Sequence, residues 1–339
     1  MRALRLGLLG AGFAGRTLAA AAVVVPSVEV TAVWSPTPAR RDELAATRGA
    51  VAMADPEAVI RAVDAVVVTT PHQTHAGFAG TALAAGRHVL CEKPLSTKTR
   101  AGAQLIKEAN ARGLVLSVNH FQRYRRPNVA ARQVIAAGRL GAVLGGQCRL
   151  LEAPMTHPWQ HESASVGFLL GYGVHAVDLL RWWLADDVVE VSARQATDGA
   201  GIERTTVASL RFGSGAVVAL TTSDQAAPSG REQVGRAAFG TQLAGETGLL
   251  DVDSYGATVL STPEAEVIDY LPSWTAFDSP ERLEAYARAL SQFAEACLTG
   301  AAPALTAQDA LSAVQVCLAA GESARRGGEP VCVLRQSRA

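Results

Sequence analysis

The chain has 339 residues, 49% hydrophobic and 18% charged; at roughly 150 residues per domain this implies two domains and excludes a disordered chain or a disulfide-stapled miniprotein. Lys plus Arg and Asp plus Glu each number 31, so no broad field draws in nucleic acid or an anionic membrane. The five cysteines are scattered without a CxxC pair, no run approaches the roughly 18 apolar residues of a membrane span, and Arg16 with three preceding glycines suits a secretory signal badly, so a cytoplasmic protein without structural zinc is expected.

From Leu4 to Asn119, short β-branched runs alternate with Ala-rich helical stretches. Strands are expected over Arg5–Leu9, Val28–Trp34, Ala65–Thr69, His88–Cys91 and Val115–Val118. Helices are expected over Phe13–Val24, Pro38–Thr47, His75–Ala85 and Thr99–Ala111. This is the pattern of βαβ units around a parallel sheet, a doubly wound α/β domain over residues 1–121 with helices on both faces.

After Phe121 the pattern changes. Helices are expected around Pro127–Ala137 and Gly173–Leu184. Strands then follow at Val188–Ala196, Thr205–Phe212, Ala216–Thr222 and Arg231–Phe239 with no helix between them, which signals antiparallel pairing. Two late helices, Pro280–Leu298 and Ala307–Arg325, close the chain; Ser279-Pro280-Glu281 opens the first and Gly300 ends it. Residues 122–339 thus form an expected α+β domain.

Gly10-Ala11-Gly12-Phe13-Ala14-Gly15 is a GxGxxG directly after a strand and opening a helix. The first glycine permits a tight turn, the second lets backbone N–H groups approach a pyrophosphate, and the third allows close helix–strand packing. An NAD-binding chain usually carries an acid about twenty residues further on, to hold the ribose 2′-OH. Here Ser35 stands there, followed by Thr37, Arg40 and Arg41, and hydroxyls with a guanidinium suit a 2′-phosphate, so NADP is favoured over NAD. The competing reading takes the arginines as solvated helix charges.

Two further segments run from strand ends into loops, where open α/β sheets bind ligands: Thr70-Pro71-His72-Gln73-Thr74-His75 and Cys91-Glu92-Lys93-Pro94-Leu95. A lysine so placed can hydrogen-bond a reacting oxygen and donate a proton; an isolated Glu-Lys-Pro is otherwise a surface turn. His72 and His75 have no third ligand at fitting spacing, so no metal is expected.

Together with Asn119-His120-Phe121-Gln122-Arg123 and Gly173-Val174-His175-Ala176-Val177-Asp178, these segments resemble the Gfo/Idh/MocA family, the oxidoreductases related to glucose–fructose oxidoreductase and inositol dehydrogenase. The resemblance covers nearly the whole chain, and Glu92-Lys93-Pro94 is its most specific element. It implies an N-terminal Rossmann domain and a C-terminal domain with an open, mainly antiparallel sheet that joins homodimers or homotetramers. It also implies redox chemistry on the carbinol or keto carbon of a sugar, sugar derivative or cyclitol. The family's catalytic lysine falls on Lys93 and its active-site histidine on His175. Cofactor contacts then extend over Gly10, Gly12, Phe13, Ala14, Gly15, Ser35, Thr37, Arg40, Thr70, Pro71, His72, His75, Glu92, Lys93, Pro94 and Gln122. Substrate contacts are Lys93, Tyr124, Trp159, Gln160, His175 and Asp178, with Trp159 equally readable as part of a structural loop.

One departure stands out: many members read Asp-x-x-x-His, and here the Asp position is Gly171. Which group acts as acid or base therefore stays open, as do two other functions: a dinucleotide-dependent sensor without turnover, and glycosidic cleavage through transient oxidation.

Overall fold

The computed structural model describes residues 3–154, 166–226, 238–262, 266–270 and 280–333. The chain forms two compact units, one of residues 1–121 with Pro280–Leu311 and one of Gln122–Ser279 with residues 312–339.

In the first unit, β1 (Leu4–Leu9), α1 (Phe13–Ala22), β2 (Val28–Trp34), α2 (Pro38–Arg48), β3 (Val51–Ala52), α3 (Pro56–Ala62), β4 (Ala65–Val68), α4 (His75–Ala84), β5 (His88–Glu92), α5 (Thr99–Ala111) and β6 (Leu116–Asn119) alternate as expected, with β3 and α3 added to the expected elements. The strands lie in the order β3-β2-β1-β4-β5-β6 and all pair in parallel. This is the doubly wound order in which ligands sit beyond the strands' carboxyl ends. β4 is buried at every position, as a strand covered by helices on both faces must be. The short helix α3 starts at Asp55, whose carboxylate accepts from the backbone N–H groups of Glu57 at 2.9 Å and Ala58 at 3.1 Å.

The expected second domain ran unbroken from residue 122 to 339, but Pro280–Leu311 returns to the first unit. The helix Pro280–Thr299 packs against α1, presenting Ala285, Tyr286, Ala289, Leu290, Phe293 and Ala294 as one buried stripe. Leu305, Ala307 and Ala310 join the core formed by the parallel sheet and its helices, and the Ser117 hydroxyl donates to the Leu305 carbonyl at 3.1 Å.

The second unit contains α6 (Arg126–Ala136), β7 (Val143–Leu151), α7 (Val174–Leu184), β8 (Val188–Thr197), β9 (Glu203–Phe212), β10 (Val217–Ser223), β11 (Ala238–Gly245), β12 (Leu249–Asp253), β13 (Ala257–Ser261) and β14 (Glu266–Tyr270). The helix Pro280–Thr299 is α8, α9 is Ala307–Arg325, and β15 is Val331–Cys332. The sheet order is β14-β13-β12-β11-β7-β10-β9-β8-β15, antiparallel except where β10 meets β7.

The sequence pattern did not reveal β7, because Gly145-Gly146 reads as a turn. In the sheet those glycines are what allow β7 to sit between two partners: a Cβ on Gly145 would lie 2.5 Å from the Val217 carbonyl oxygen, and one on Gly146 would collide with that of Gln242. The expected strand Arg231–Phe239 is found only at its end, since β11 starts at Ala238 and residues 231–237 lie outside the described residues, as does Ser279. No helix among the described residues is long and apolar enough to cross a membrane.

Candidate active site

In the first unit the glycine loop has the geometry its spacing implies. Gly10 has φ +115°, and a Cβ there would lie 2.7 Å from the Thr69 carbonyl oxygen; a Cβ on Gly15 would collide with the Gly10 carbonyl. Thr69, which the motif reading passed over, fastens the loop by donating its hydroxyl to the Gly10 carbonyl at 2.9 Å. Gly12 faces open space: a Cβ there would meet nothing within 4 Å. It caps α1 without a side-chain hydrogen bond, and the first turn carries no acid. A bare helix N-terminus with unobstructed backbone amides fits a pyrophosphate, so the residues present fit a dinucleotide.

At the end of β2, Ser35 is buried and its hydroxyl accepts from the Thr37 backbone N–H at 3.3 Å. Thr37 caps α2, whose first turn likewise has no acid. The two arginines separate here: Arg41 bonds Asp42 at 2.7 Å, whereas the exposed Arg40 makes no hydrogen bond or ion pair among the described residues.

The Thr70–His75 and Glu92–Pro94 segments come together beyond β4 and β5. Thr70 is buried and accepts from the Thr74 hydroxyl at 2.7 Å, while Pro71 is exposed. His75, expected as a cofactor contact, is completely buried, and its ring nitrogens face protein carbonyls: Nδ1 lies 2.7 Å from Pro94 O and Nε2 2.7 Å from Thr70 O. In this structure the ring is therefore surrounded by protein groups and not presented to a ligand. Burial lowers its pKa, as does the Lys93 charge, against the raising pull of the carbonyl contacts. His72, edge-on to His75 at 5.6 Å between ring centres, is held well below the ordinary histidine value by burial, then by Lys93 and His75.

Lys93 is only 9% exposed. The preceding Glu92 carboxylate accepts from the Asn119 amide at 2.6 Å and from the Lys93 backbone N–H at 3.2 Å. Burial raises the Glu92 pKa, opposed by Lys93, the Asn119 bond, the Lys93 N–H and Arg282. Asn119 Oδ1 is buried and has no partner among the described residues, leaving an acceptor at the end of β6.

Arg282 is the feature of this unit that sequence reasoning missed. From α8 its guanidinium lies over the Phe13 ring at 4.5 Å and near Phe121 at 5.5 Å, which puts a cation against the first residue of α1. No local signal marks it, because the partners meet only through folding.

In the second unit His175 is 5% exposed on the first turn of α7 and follows a π-helical turn over Leu169–Gly173, of the kind common at functional sites. Gly171, at the family's Asp position, lies inside that turn. The turn is pinned from the sheet: the Glu203 carboxylate accepts from the Leu169 N–H at 2.8 Å and the Thr206 hydroxyl at 2.7 Å, and burial raises its pKa.

Asp178, expected at the substrate, is fully buried instead, with both carboxylate oxygens accepting from Arg123 at 2.8 and 2.6 Å. Gln122 is buried and donates to the Tyr255 hydroxyl at 3.1 Å. Tyr124 is mostly buried, which, with a lesser contribution from Asp178 and against the Arg123 charge, pushes its pKa up to about 12. Trp159 and Gln160 lie outside the described residues.

Comparisons with known proteins match both parts of the chain. Residues 4–120 match the model of an oxidoreductase family with an NAD-binding Rossmann fold, and residues 128–251 match the C-terminal domain model of the same family. The 1,5-anhydro-D-fructose reductase of Ensifer adhaerens is 32% identical over 231 residues, covering 63% of this chain and 67% of the relative. A dTDP-3,4-didehydro-2,6-dideoxy-alpha-D-glucose 3-reductase of Streptomyces violaceoruber is 37% identical over 161 residues, covering 47% of this chain and 46% of the relative. Among solved structures, GenD2 from gentamicin A biosynthesis in complex with NAD superposes with a TM-score of 0.84 at 26% identity, covering 99% of this chain and 97% of that one. With both domain models matched in order along one chain, this protein belongs to the Gfo/Idh/MocA family of oxidoreductases.

Proposed function

We propose that this oxidoreductase works on the carbinol or keto carbon of a sugar-like substrate and prefers NADP(H). The observation that carries this reading is the nearly buried Lys93 at the end of β5, in the same parallel sheet as the open Gly12 loop. A bound nicotinamide dinucleotide supplies or accepts the hydride. Gly10–Gly15 and the start of α1 would hold its pyrophosphate, and Ser35, Thr37 and the unengaged Arg40 support a 2′-phosphate.

Lys93 hydrogen-bonds the substrate oxygen, stabilises negative charge there and delivers or receives the proton at Nζ. His175 positions neighbouring hydroxyls. The relatives named as sugar reductases support a sugar or sugar derivative as substrate. Val207 and Val217, 53% and 45% exposed on one face of the antiparallel sheet, support that face as the contact between copies.

A panel of keto-sugars, cyclitols and nucleotide-linked sugars, followed by NADPH absorbance and by product analysis, tests the reading. Net oxidation of NADPH or reduction of NADP is the expected result. Product without net absorbance change would replace it with cleavage through transient oxidation. Binding without turnover would make the protein a sensor.

A further inference from the structure

We propose that His75 is a positioning residue for Lys93: a buried imidazole brace that ties the backbone after β4 to the peptide following Lys93. The inference rests on the reading of Lys93 as the group at the reacting oxygen, and it assigns His75 a task other than contact with the cofactor.

The geometry carries the argument. His75 is the first residue of α4, so the helix fixes its Cα, and its ring is completely buried. Nδ1 reaches the carbonyl of Pro94, the residue directly after Lys93, and Nε2 reaches the carbonyl of Thr70, two residues past the end of β4, each at 2.7 Å. Carbonyl oxygens only accept, so each contact is a hydrogen bond when the facing nitrogen carries a proton. One ring thus joins a helix start and two loops that project from neighbouring strands.

Glu92 acts on the other side of Lys93. Its carboxylate takes the Lys93 N–H, and Asn119 holds the carboxylate from β6. The lysine backbone is therefore held before and after its Cα by different partners. A brace on the Pro94 carbonyl, one residue beyond Lys93, limits how far the lysine Cα, and so Nζ, can drift from the substrate oxygen. Displacement of a catalytic group by about 1 Å lowers turnover by up to about a hundredfold. A neutral ring donates to one of the two carbonyls and packs against the other, so removing it leaves one buried acceptor unpaired and a void beside both loops, which loosens them together.

A double-mutant cycle separates positioning from general structural support. Turnover is read with NADPH and the best acceptor of the panel above. Backbone hydrogen exchange is read on the protein alone, with no substrate. His75→Ala is expected to lower kcat by about tenfold to a hundredfold, while the dissociation constant for NADPH changes by less than about twofold. In a Lys93→Met background the same change is expected to leave the residual kcat within about twofold, because the group being positioned is gone.

Hydrogen exchange of segments 69–75 and 92–96 should accelerate together, and His75→Gln, which keeps a donor and most of the volume, should give a smaller acceleration. Equal loss of kcat in both backgrounds, or unaltered exchange in the two segments, would overturn the proposal. Unaltered turnover in Lys93→Met would overturn the reading of Lys93 itself, and the exchange result would then decide the brace separately.

Discussion

The two units hold their polar groups by different means. Beyond β4 and β5 the chemistry is fixed through the main chain: His75 lies against two carbonyls, Glu92 takes a backbone N–H, and Gly12 leaves backbone amides bare. In the second unit, charge pairs across long sequence separations do this work. Arg123 and Asp178 meet with both side chains nearly inaccessible, and Arg204 meets Asp224 at 2.7 Å in the same way. A main-chain site moves only when its loops move, whereas a buried ion pair fails as soon as either partner is removed and the other charge is left stranded.

The largest effect should come from the site itself. Lys93→Met should lower turnover by about two to four orders of magnitude and leave NADPH binding largely intact, as read by steady-state kinetics and fluorescence titration. Loss of dinucleotide affinity instead would show that Lys93 mainly serves the cofactor.

The ion pair gives the sharpest contrast in stability. Asp178→Ala should destabilise the protein by about 3–5 kcal/mol because it strands the Arg123 charge, measured by denaturant unfolding. Replacing both residues with apolar ones of similar volume should recover much of that loss. If Asp178→Ala instead raises KM with little change in stability, Asp178 belongs at the substrate after all.

Cofactor choice, set by side chains just beyond β2, is a smaller effect. NADPH should be preferred over NADH in kcat/KM, and Ser35→Asp with Arg40→Ala should reverse the order, each substitution contributing about 1–3 kcal/mol. Equal use of both cofactors by the unaltered protein would remove the 2′-phosphate from the reading.

The smallest effect is a pH dependence of the first unit. The pKa of His72 lies well below its unfolded value near 6.5, so the unfolded chain takes up a proton that the folded chain refuses as pH falls below that value. Stability is complete above about 6.5 and declines below it by up to about 1.4 kcal/mol per pH unit, until His72 protonates in the folded protein. Thermal unfolding between pH 7 and 5 should show a shallower decline for His72→Asn than for the unaltered chain.

The glycine loop was readable because it is a contiguous motif whose shape follows from local backbone geometry. Asp178 was misread for the opposite reason: its partner Arg123 lies 55 residues away, and no spacing rule connects them. The helix start at His75 was expected, yet the residue that completes its contacts, Pro94, comes from the loop after the next strand. Arg282 and Glu203 were invisible in the same sense, since each acts on a segment far from it in sequence. The strand β7 was hidden by glycines that a pattern search reads as turn and a crowded sheet needs as clearance.

The return of Pro280–Leu311 to the first unit bears on how the protein is made. Ser117 and Leu305 are hydrogen-bonded across 188 positions, and Leu305, Ala307 and Ala310 fill the core beside the parallel sheet. A nascent chain therefore carries its glycine loop and Lys93 off the ribosome long before their unit can close. At about 5–20 residues per second, that interval is roughly ten to forty seconds of translation with apolar surface uncovered. A fragment ending at Phe121 inherits the same exposed surface permanently, so the nucleotide-binding half should need its late segment supplied, in cis or as a separate peptide, to be recovered as a stable domain.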